Sequence, residues 1–64
     1  MRRHSRELAE SFVNGNIGAV CEELTSEAEK GQLHLIVGVA LELLSISGVR
    51  DVEVLYNALA RRAP

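Results

Sequence analysis

The sequence predicts an all-α fold: a small four-helix domain with one long, very hydrophobic central helix over about residues 26–46, pairing with a second copy as a homodimeric helical bundle. Three observations carry this reading. Apolar residues recur at helical spacing along the whole chain, no stretch alternates convincingly over a strand's length, and the only proline is Pro64 at the end. At 47% hydrophobic and 25% charged, the 64 residues have the composition of a folded domain. Phe12 and Tyr56 are the only aromatics, so the core must be aliphatic, which suits close helix packing.

Ser5 reads as the N-cap of a first helix whose buried side is Leu8, Phe12 and Val13. Asn14-Gly15 ends it, because both residues tolerate the left-handed backbone. Asn16 caps the second helix. Ile17, Val20, Cys21 and Leu24 follow at i, i+3, i+4 and i+7, one narrow apolar stripe. Two endings compete for this helix, one near Leu24 and one at Lys30 with Gly31 as its cap. Ending at Gly31 leaves Glu27 and Glu29 at a helix C-terminus, each unfavourable by up to about 1 kcal/mol. Starting a new helix at Ser26 makes a Ser26-x-x-Glu29 capping box at the cost of about 1 kcal/mol for an interior Gly31. That balance favours the long helix. Gly48 closes it, and Arg50 to Arg62 forms the last helix, with Asp51 and Glu53 near its start, Arg61 and Arg62 at its end, and Val52, Leu55, Tyr56 and Leu59 on its buried side.

The chain makes a single domain, 1–64, and a domain this small removes only about 60% of its unfolded surface from water. Staples are excluded. Cys21 is the only cysteine, so no intramolecular disulfide forms, and His4 and His34 without a cysteine cluster build no structural zinc site. Nine of the twelve residues from Leu33 to Leu44 are apolar. From Leu33 to Ile46 the apolar arc covers roughly 240°, against about 100° for a helix with one wet side. Three short helices are too few to cover it, so a second copy is expected on Leu33, Ile36, Val37, Ala40, Leu41 and Leu44, with Gly38 or Ala40 letting the two backbones approach.

No nucleophile, base and orienting group can be named together, and no cofactor or metal motif is present. Cys21 sits on an apolar stripe, where a thiol behaves as a small hydrophobe. Adjacent Glu22 and Glu23 point about 100° apart on a helix and cannot share one cation. With Glu27 they form an acidic face that reads either as plainly solvated or as a docking surface for a basic partner. Arg2, Arg3 and Arg6 oppose the helix macrodipole, so local stability does not explain them; an arm contacting a partner's phosphates would, and so would a frayed, solvated terminus. The expectation is a non-enzymatic, homo-oligomeric interaction module without cofactors, a small regulatory or adaptor protein whose partners are itself and another protein. The alternative is a dimeric nucleic-acid-binding regulator using the arginine cluster and Arg50. A net charge of −2 and the lack of a basic recognition helix weigh against it. No apolar run reaches the roughly 20 residues of a membrane span, so a cytoplasmic location with no membrane partner is expected.

Overall fold

A computed structural model describes residues 2–62, with side chains from Arg3 onward. Four helices follow in order: α1 (Arg2–Val13), α2 (Ile17–Glu29), α3 (Leu33–Ile46) and α4 (Val49–Arg62). No strand occurs among the described residues. The helices form a ring in which α3 packs on α1 most extensively and also touches α4 and α2, while α2 closes the ring against α1 and α4. Leu8, Ala9 and Phe12 of α1, Val20, Cys21 and Leu24 of α2, Leu35, Val39 and Leu43 of α3, and Leu55 of α4 make one buried cluster. The aliphatic core is therefore real, and it contains a single aromatic ring, that of Phe12.

The long helix expected over about 26–46 does not form. α2 continues to Glu29, Gly31 takes a left-handed φ of +88°, and α3 starts at Leu33. The amide of Gly31 bonds to the carbonyl of Ala28 and that of Gln32 to the carbonyl of Glu27, at 3.0 and 2.9 Å. These two crossed bonds are a Schellman ending, which satisfies carbonyls the helix would otherwise leave open. Glu27 also meets Lys30 at 3.5 Å, which offsets part of the penalty for an acid at a helix end. Packing favours the break as well. Folding the chain back at Gly31 directs the stripes of α2 and α3 into one core within a body of 28 × 24 × 17 Å. A straight helix of 21 residues, roughly 30 Å long, would exceed every one of those dimensions.

Other boundaries fall where the sequence places them, at Gly15 and Gly48, both with left-handed φ. Asn16 occupies the N-cap of α2 without a side-chain capping bond, and its Nδ2 donates instead to Ser11 Oγ at 3.2 Å. Three assignments are corrected. Ser5 lies inside α1, 6% exposed, because it shares the face of Leu8, Ala9 and Phe12 and turns toward α3. Val13 at 48% and Tyr56 at 56% are exposed and contribute nothing to the core. On α4 the buried side centres on Leu55, with Val52, Ala58 and Leu59 half-buried around it, and Tyr56 is turned toward solvent.

At Gly38 the backbone of α3 lies close against α1. A Cβ built on it would lie 2.6 Å from Ser5 Oγ and 3.3 Å from Ser5 Cβ. The close approach expected between two copies is thus used within one chain, where it lets α1 lie down on α3.

Candidate functional site

α3 divides its apolar residues between two faces. Leu35, Val39 and Leu43 are at most 4% exposed, while Leu33, Val37, Leu41 and Leu44 are 62, 55, 61 and 47% exposed. The exposed four run at spacings of four, four and three residues, which keeps them in one line along the helix. Ile36 and Ala40, at the edge of that line, are half-buried against the core cluster. Of the six residues expected at an oligomer interface, four are therefore open to solvent and two form the border between core and surface. The whole surface of 4323 Å² is ordinary in amount, since a monomer of 7.0 kDa is expected to expose about 4000 Å². What is unusual is the chemistry of one helix face, a contiguous apolar strip of the kind that marks interaction sites.

Beside this strip lies an open cleft of about 530 Å³ between α1 and α3, lined by Ser5, Arg6, His34, Gly38, Leu41, Glu42 and Ser45. Its composition brings together a hydroxyl, an imidazole and a carboxylate. Its geometry does not link them: among the described residues His34 makes no side-chain hydrogen bond. A nucleophile, base and orienting group need contacts of about 2.6–3.2 Å to act together. Arg6, the cation of the cleft, already lies 3.3 Å from Glu10 and 3.6 Å from Glu42, so its charge is answered from both sides.

The expected partner-binding residues are scattered. Arg3 and Glu22 are exposed, Arg6 is held as described, and the side chain of Arg2 lies outside the described residues. Glu23 Oε2 accepts from His4 Nε2 across 2.7 Å, joining α1 to α2, and Glu27 is engaged by Lys30. The acidic run is thus partly consumed by pairs that sequence reading missed. His4 and Glu23 are 19 residues apart, and nothing in local spacing announces such a pair. The Ser5 and Gly38 contact had a readable half, since Ser5, Leu8, Ala9 and Phe12 fall at i, i+3, i+4 and i+7.

Cys21 is 1% exposed, and burial pushes its thiol pKa up while the guanidinium of Arg62 draws it back in part. Arg62 is tied to the start of α2 through a 3.4 Å bond from Nη2 to the carbonyl of Gly18. A buried thiol with a raised pKa is a packing group and a poor nucleophile. No group of three or more His, Cys, Asp or Glu side chains among the described residues is placed to hold a metal ion. Among the same residues, no helix is long and apolar enough to cross a membrane. Comparison with family models, with curated proteins and with solved structures finds no match for this chain.

Proposed function

We propose that this chain is a non-enzymatic helical interaction module that self-associates through the outer face of α3 and, as an oligomer, docks on another protein in a small regulatory or adaptor role. The observation that carries the proposal is the exposed line of Leu33, Val37, Leu41 and Leu44. Full burial of a Val or Leu side chain contributes about 1.5–3 kcal/mol, so four such residues left roughly half exposed withhold several kcal/mol. A domain of this length has about 3–10 kcal/mol of stability in all. Covering the face would therefore add an amount comparable to everything the monomer has. A second copy is the covering always present at equal concentration. Two copies of the surface left over, including exposed Glu22 and Glu29, would then bind a partner through effective concentration and not through a large single contact.

Light scattering on a sizing column, across a dilution series from millimolar to micromolar protein, tests the first half. A mass of two chains that falls toward one on dilution is expected, and a monomer at every concentration overturns the proposal. Titration with duplex DNA and with RNA tests the second half. Weak binding, indifferent to Arg2, Arg3 and Arg6→Ala, is expected. Steeply salt-dependent binding abolished by those substitutions would replace the protein partner with a nucleic acid.

A further inference from the structure

We draw no further inference here: the strongest candidate, the exposed apolar strip of Leu33, Val37, Leu41 and Leu44 on the outer face of α3, belongs to the site already described, and nothing in the structure shows what covers it or in which orientation.

Discussion

The inner and outer faces of α3 are built from the same alphabet and meet opposite fates. Leu35, Val39 and Leu43 are sealed in the core, while Leu33, Val37, Leu41 and Leu44 stand in water. Hydrophobicity therefore does not decide which side of this helix is interior. The decision belongs to the neighbours. The narrow stripes of α1, α2 and α4 are enough to cover one side of α3 and its edges at Ile36 and Ala40. A helix that is apolar nearly all round either lies in a larger core or offers a surface for something else.

Truncation separates the two faces most sharply. Leu43→Ala removes a side chain with no exposure and should cost about 2–5 kcal/mol, a large part of the total for so small a domain. Leu41→Ala, two residues away on the opposite side of the helix and 61% exposed, should leave the stability of the monomer within about 0.5 kcal/mol. Urea titrations followed by circular dichroism at low protein concentration measure both. Equal losses from the two substitutions would mean that the outer face is structural after all.

The break that created the two faces can be tested by sign. Gly31 holds a φ of +88°, so Gly31→Ala should cost about 1–2 kcal/mol. In an unbroken helix through this position the same change would gain about 1 kcal/mol. A rise in the thermal midpoint of the alanine variant would restore the long central helix and remove the fold-back that turns Leu35, Val39 and Leu43 inward.

Gly38 sharpens the comparison on the side where α1 lies. Gly38→Ala gains about 1 kcal/mol of helix propensity but forces a methyl against Ser5, where overpacking costs about 1–3 kcal/mol. A net loss near 1 kcal/mol is expected. In a Ser5→Ala background the nearest atom, Oγ at 2.6 Å, is gone, so most of that loss should be recovered. A double-mutant cycle with no coupling between the two positions would show that the α1 and α3 backbones have room to spare.

How far the sequence could be read follows the range of each interaction. The helical class, the turns at Gly15 and Gly48, and the buried stripe of Val20, Cys21 and Leu24 depend on spacing within a few turns, and all of them emerge from local pattern. The ending of α2 is not legible locally because two local signals conflict. The capping box at Ser26 and Glu29 was legible, whereas the Schellman bonds at Gly31 and the gain from folding α3 onto the core are collective. Tyr56 stands at i+4 in the stripe Val52, Leu55, Tyr56 and Leu59, yet a step of about 100° from Leu55 is enough to carry it from a narrow buried stripe into water. For the site, the six residues expected on α3 are readable as an apolar excess. Which four of the six stay open depends on where α1 and α4 come to rest, and Arg6 lost its apparent freedom to Glu42, 36 positions along the chain.

The smallest expected effect on the fold carries the largest consequence for assembly. Leu41→Lys places a charge in the middle of the outer face, where the monomer leaves it solvated, so the stability of the isolated chain should shift by no more than about 0.5 kcal/mol. Pairing through α3 would bury that charge against an apolar partner without an answering carboxylate, which should weaken association on the order of tenfold or more. Thermal melts at increasing protein concentration separate the two effects. A self-associating parent gains stability by mass action as its concentration rises, so its midpoint should climb, while that of Leu41→Lys should stay flat and converge on the parent at high dilution. Leu35→Lys, the same change on the opposite face, should fail to fold at any concentration, because a buried lysine has neither water nor a partner there. If the parent's midpoint is as flat as that of Leu41→Lys, the outer face covers nothing in solution, and the contrast between the two sides of α3 reduces to one of exposure alone.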